Sequence, residues 1–229
     1  MPVVDAETVR GARPRSVDAA GGGWLPPVPP PRSDGDWDTP PGPGAGPPLS
    51  NARLGMLMLL GGESMFFGGL VAAFLHLRVS APVWPPPFQP RLPVGLTAAN
   101  TLVLLSSSYT LARALRAVRG DAQRELVRWL GATGLLGALF LAVQGAEWLR
   151  LVRFGLTVSS GTYGATFYTL IGAHGVHVFG ALAWLALVLA AASRGRYTWH
   201  GHVGLSTCAM YWHFVVALWP ILYVLVYLA

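Results

Sequence analysis

From Leu54 onward the chain sets long apolar runs between short polar breaks. Five runs are legible, near 54–79, 93–117, 127–153, 163–193 and 204–228. About 20 residues of helix cross the hydrocarbon core of a bilayer, so each run has spanning length. The breaks fit this reading. "SAPVWPPPFQPRLP" cannot continue a helix, because proline fixes φ and removes an amide donor. "RAVRGDAQRELVR" is charged and contains a glycine, and "RFGLTVSSGTY" and "ASRGRYTWHGH" are short polar turns. The pattern predicts an all-α polytopic bundle of five transmembrane helices over residues 53–229. Residues 1–52 differ. Stretches such as "WLPPVPPPRSDGDWDTPPGPGAGPP" bury no core and form no helix, which predicts a disordered or extended Pro/Gly-rich tail. The alternative is an arm docked along a partner, anchored by Trp24 and Trp37.

Composition agrees with a membrane protein. Of 229 residues, 53% are hydrophobic and 11% charged, with a mean hydropathy of +0.48; a soluble domain carries about 25% charged residues. The net charge of +6 rests on arginine, since lysine is absent. The arginines cluster at the ends of apolar runs, which points to topology and not to nucleic acid. With the N-terminus cytoplasmic, that side holds Arg10, Arg13, Arg15, Arg32, Arg53, Arg113, Arg116, Arg119, Arg124, Arg128, Arg194 and Arg196. The other side holds Arg78, Arg91, Arg150 and Arg153, and five crossings put the C-terminus there. Cys208 is the single cysteine, so no internal disulfide forms. The first residues, "MPVVDAETVRGARPRSVDAAGGG", lack the apolar centre of a signal peptide.

The candidate chemistry lies in polar residues inside the runs. Glu63 is the tenth residue of the first run, about 14 Å in at 1.5 Å per residue. A lone charge there costs at least about 2.5 kcal/mol, so Glu63 either holds a proton or has a partner. His174 and His177 lie three apart in the fourth run, and His213 is at mid-depth in the fifth. Gln144 and Glu147 lie three apart in the third. Gly61, Gly62, Gly68, Gly69, Gly172, Gly175 and Gly180 predict close helix approaches around these positions. From the residues alone, three readings stand: a b-type cytochrome with histidine axial ligands, a proton-coupled transporter with a Glu/His relay, and a satisfied polar network that fixes packing or holds a lipid headgroup. The polar run "AANTLVLLSSSYT" either faces a partner or packs within the chain.

Ordered motifs then carry a resemblance. "GESMFFGGLVAAFLHLR", "WPPP" with "LTAANTLVLLSSSYTLARA", "VQGAEW", "SSGTYGATFYTLIGAHGVHVFGA" and "YWHFVVALW" occur in sequence from Leu54 to Leu228. Together they resemble subunit III of the haem–copper terminal oxidases, especially of cytochrome c oxidase, in its shorter five-span bacterial form. The resemblance implies a bacterial cytoplasmic membrane and a chain without metal or redox cofactor. It implies packing beside the catalytic subunit I, which holds haem and copper, and support for sustained turnover and proton uptake. It implies a V-shaped arrangement, with a phospholipid-holding cleft between the first two spans and the other three. Glu63 matches the family's carbodiimide-reactive carboxyl, and Glu147, His174, His177 and His213 match family positions. Arg53 and Arg78, at opposite ends of the first span, are expected to meet lipid phosphate. The chain departs from the family pattern at Ser160, Ser206 and Val216, where acidic residues are usual. A subunit III-like partner of nitric oxide reductase or of a quinol oxidase stays open as an alternative branch.

Overall fold

The computed structural model describes residues 50–86, 93–198 and 201–228, and all regular elements among them are helical. They are α1 (Asn51–Ser80), α2 (Val94–Arg119), α3 (Gln123–Arg153), α4 (Thr162–Ser193) and α5 (Val203–Tyr223), with α5 continuing into a π-helical turn, Val224–Leu228. The expected N-terminal tail up to residue 49, Arg91 and His200 lie outside the described residues. α1, α3, α4 and Val203–Leu228 are long and apolar enough to cross a membrane. α2 has 26 residues but carries Thr97, Asn100, Thr101, Ser106, Ser107, Ser108 and Thr110, which dilute its apolar character.

Local chemistry sets the helix ends. Ser50 caps α1, its Oγ accepting from the Arg53 amide at 3.3 Å. α3 begins at Gln123, earlier than the apolar run, because the polar turn that precedes it is itself helical and puts Glu125 near the positive helix start. After α3 the chain turns through Gly155 at φ +88, a left-handed conformation that costs glycine little. Trp84, in the proline-rich connection after α1, lies edge-on to Phe74 of α1 and Tyr163 of α4, at ring separations of 5.8 Å and 5.1 Å.

Packing orders the helices. α2 and α3 form an antiparallel hairpin, turned at Gly120–Ala122 with Asp121 at φ 53. α2 also packs on α5, α3 on α4, α4 on α5, and α1 on α4 and α5. The V-shaped division expected between α1–α2 and α3–α5 is therefore not the one the packing makes. The reason is the polar content of α2, which joins it to α3 and α5. Asn100 Nδ2 donates to the Phe140 carbonyl at 3.1 Å, and Thr110 and Thr133 share a 2.8 Å hydrogen bond. Trp212 Nε1 donates to Ser107 Oγ at 3.1 Å, and Trp219 Nε1 to Thr101 Oγ1 at 2.8 Å. The polar run of α2 is thus largely engaged inside the chain.

The close approaches fall only in part at the expected glycines, at Gly175 and, more loosely, at Gly172. A Cβ on Gly61, Gly62, Gly68, Gly69 or Gly180 would meet nothing within 4 Å. The tightest seat between helices is Gly137 of α3, where a Cβ would lie 2.5 Å from the Trp212 ring. Gly175 is next, 3.1 Å from Trp148. Bulky indoles lying across glycine, not glycine against glycine, bring α3 to its neighbours.

Candidate functional site: polar groups inside the bundle

α1 carries few buried side chains, Met56, Phe67 and Phe74. Glu63 is one turn before Phe67, on the side facing α4. Its Oε2 lies 2.9 Å from His177 Nε2, with side-chain exposures of 20% for Glu63 and 19% for His177. The other ring nitrogen, Nδ1, is 2.7 Å from the Ala173 carbonyl. A carbonyl only accepts, so Nδ1 carries the hydrogen of that bond. A single further proton then lies between Nε2 and Oε2, and the pair is electrically neutral whichever atom holds it. This is how a carboxyl is accommodated within a membrane-length helix. The rings of Phe66 and Phe67 flank His177, with centroids at 5.9 Å and 5.0 Å. Beside the pair is an open groove lined by Met58, Leu59, Gly62, Glu63, Phe66 and His177.

His174 does not join this pair. Only 1% exposed, it stacks on Trp219 with ring centroids 5.0 Å apart, and Phe67 meets it edge-on at 6.4 Å. Its ring nitrogens make no hydrogen bond among the described residues. His213 is engaged elsewhere, its Nδ1 2.5 Å from Ser108 Oγ across the α2–α5 contact.

Gln144 and Glu147 belong to a second buried cluster. Gln144 Nε2 donates to Glu147 Oε2 and to Tyr227 Oη, both at 3.1 Å. Thr97 Oγ1 lies 3.2 Å and 3.4 Å from the two carboxyl oxygens of Glu147 and 3.0 Å from the Pro93 carbonyl. The cluster ties the start of α2 and the end of α3 to the terminal π-turn. The six polar residues are thus divided among four places: Glu63 with His177, His213 with Ser108, Gln144 with Glu147, and His174 in an aromatic stack. Thr97 and Tyr227 are the members that sequence reasoning missed, whereas Ser108 belongs to the polar run of α2 already singled out. Thr97 carried a weak signal as a hydroxyl in an otherwise apolar run; Tyr227 carried none.

Arg78 Nη1 donates to the Leu225 carbonyl at 3.2 Å, fastening the end of α1 to the π-turn. Arg53 lies in the first turn of α1. At the departures from the family pattern, Ser160 Oγ donates to the Thr157 carbonyl at 2.7 Å and accepts from the Thr157 amide at 3.2 Å, closing the turn before α4. Val216 is buried in the apolar core, a place suited to valine. Ser206 lies in the first turn of α5. No group of three or more His, Cys, Asp or Glu residues is placed to hold a metal among the described residues.

Comparison with known proteins places this arrangement. Residues 49–229 match the family model described as cytochrome c oxidase subunit III. The chain is 37% identical over 175 residues to the cytochrome c oxidase subunit 3 of a Synechocystis species, covering 76% of this chain and 74% of the relative. It is 36% identical over 176 residues to that of Thermostichus vulcanus, covering 76% and 86%. It is 34% identical over 179 residues to that of Bacillus subtilis, covering 78% and 86%.

Proposed function

The chain belongs to the cytochrome c oxidase subunit III family, and from that premise we propose that it is the non-redox accessory subunit beside catalytic subunit I of a proton-pumping oxidase. Haem and copper reside in the partner subunits. The observation that carries the reading is the Glu63–His177 pair, a neutral proton-sharing unit open to a groove midway along α1. Such a pair stabilises a helix contact and can exchange a proton, but transfers no electron. His177 has both ring nitrogens engaged, which counts against its serving as a haem ligand.

The remaining features follow on the same reading. α2 is the fifth crossing. At about 39 Å it exceeds the hydrocarbon thickness of about 30 Å, and its polar groups face α3 and α5. Arg113 to Arg128 and Arg194 with Arg196 lie on the cytoplasmic side, and Arg78, Arg150 and Arg153 outside, in keeping with the positive-inside rule. The groove beside Glu63 holds phospholipid tails, with Arg53 and Arg78 near the two headgroup levels; Arg78 in addition holds the C-terminal turn.

The test is turnover of the assembled oxidase. Glu63→Ala removes the acid and leaves His177 Nε2 unsatisfied, whereas Glu63→Gln keeps a hydrogen-bonding group. Initial oxygen reduction is expected to change little in either variant. Activity should decay faster over repeated turnover in Glu63→Ala than in Glu63→Gln. Loss of the first turnover in Glu63→Ala would make Glu63 an obligatory proton donor and overturn the accessory role.

A further inference from the structure

A second polar pocket lies far from Glu63, in the α2–α3 hairpin. It is lined by Arg113, Glu125, Arg128, Trp129 and Ala132. The Arg113 guanidinium sits over the Trp129 ring, 5.0 Å from its centroid, and donates to the Tyr109 hydroxyl at 3.2 Å. Its partners are therefore an indole and a phenol, neither of which cancels its charge. Glu125 lines the same pocket but forms no ion pair with either arginine among the described residues. Arg116, Arg119 and Arg124 complete five arginines on this hairpin, against Asp121 and Glu125.

The depth of the pocket defines what can enter. α3 has 31 residues, about 46 Å, and overhangs a core of about 30 Å by about 8 Å at each end when centred. Arg128 lies five residues into α3 and Arg113 six residues before the end of α2, so both stand near the hydrocarbon boundary. Tryptophan and tyrosine are the residues of that level. Toward the bilayer centre, the pocket continues into two exposed apolar stripes. On α2 these are Tyr109, Leu105 and Leu102, 59%, 41% and 66% exposed; on α3, Leu135 and Leu139, 72% and 46% exposed. The spacings 102, 105, 109, 113 and 128, 132, 135, 139 each keep to one helix face.

We propose that this hairpin is a binding site for an anionic phospholipid. The phosphate sits between Arg113 and Arg128 in charge-assisted hydrogen bonds, and the two acyl chains lie along the apolar stripes of α2 and α3. Charge complementarity with two arginines at headgroup depth, directly above two apolar stripes, selects a lipid over a soluble anion.

The experiment uses the purified oxidase complex in mild detergent, with a phosphatidylglycerol that carries a photoreactive group on one acyl chain. Labelled peptides are located by mass spectrometry. Labelling is expected on α2 and α3 around Leu102, Leu135 and Leu139. At about fivefold per basic residue near the membrane surface, Arg113→Gln with Arg128→Gln should weaken it about 30-fold. Arg113→Lys with Arg128→Lys should retain it within about threefold, which separates lost charge from lost structure; the haem spectrum of each complex checks assembly. A zwitterionic phosphatidylcholine probe should label the stripes far less. Undiminished labelling in the glutamine variant would overturn the proposal. So would competition by glycerol 3-phosphate at concentrations comparable to the lipid, which would assign the pocket to a free phosphate. Cross-linking from position 128 to another subunit in place of lipid would assign it to a polypeptide.

Discussion

His177→Leu isolates the contribution of the Glu63–His177 pair. Leucine keeps an apolar volume between Phe66 and Phe67 but removes both ring nitrogens. Glu63 is then left with no hydrogen-bonding partner among the described residues, only water or lipid. A lone ionised carboxylate at mid-helix costs about 2.5–3.5 kcal/mol on insertion scales. Glu63 retains 20% exposure on an open groove, so about 2 kcal/mol is the working figure after relaxation. Glu63→Leu leaves the imidazole short of one hydrogen bond, about 1 kcal/mol. The double variant removes both polar groups and should cost less than His177→Leu alone, with a coupling of about 1–2 kcal/mol as for other contacting pairs. The assay is the temperature at which this chain is lost from the purified oxidase in mild detergent. For a chain of this size 1 kcal/mol corresponds to about 2–4 °C. His177→Leu should lower the midpoint by about 4–8 °C, and adding Glu63→Leu should recover up to about half of that loss. Additive losses in the double variant would show that the two side chains contribute independently, and the neutral-pair argument would be wrong.

Two further outcomes use the same assay. Gly137→Ala should cost about 1–3 kcal/mol by overpacking, because the new methyl lies 2.5 Å from Trp212, a ring held by Ser107. Gly134→Ala, one turn away with 4.0 Å of clearance to Leu185, should be neutral or stabilising by up to about 1 kcal/mol of helix propensity; equal effects at both positions would refute the close-approach argument. In the second cluster, Gln144→Leu should cost more than Glu147→Leu. Gln144 serves both Glu147 and Tyr227, so its loss strips two buried groups, at about 1–3 kcal/mol each. Loss of Glu147 leaves Gln144 its bond to Tyr227 and Thr97 its bond to Pro93. The reverse order would move the centre of the cluster to the carboxyl.

The helices were legible because each apolar run is bounded by residues that end or cap a helix. Pro82 and Pro85–Pro87 follow α1, and Gly155 follows α3. What hydrophobicity could not give was the rotation of each helix. His174 and His177 are three residues apart, about 60° around the helix. That angle directs His177 to Glu63 and His174 into the stack with Trp219. From sequence, either histidine, or His213, was an equal partner for the acid. The glycines of α1 failed for a related reason. Gly61, Gly62, Gly68 and Gly69 lie on parts of α1 that no helix covers among the described residues, whereas Gly137 gives no local sign that Trp212 lies across it. Tyr227 reaches Gln144 from a last turn that is π-helical, a register that an α-helical reading of the sequence does not give.

The placement of Glu63 on α1, of all helices, has a physical reason. In a bilayer, apolar side chains gain little by leaving lipid for another helix, so association rests on packing and hydrogen bonds. α2 is secured by Asn100, Ser107, Ser108 and Thr110, each bonded to α3 or α5 or standing beside a residue that is. α1 has three buried side chains and exposes Leu54, Met58, Met65 and Phe66. Its side-chain hydrogen bonds to other helices in the described residues are two. Glu63–His177 lies midway, and Arg78–Leu225 lies at the end. Two points fix both the position and the rotation of a helix, where one would leave it free to turn. A leucine at position 63 would leave α1 apolar enough to stay in the membrane but with apolar packing, chiefly Phe67 on His174 and His177, as what sets its face toward α4. On this argument the acid is retained first as an orienting clasp. Its capacity to share a proton follows from the neutral chemistry that lets such a clasp exist in hydrocarbon.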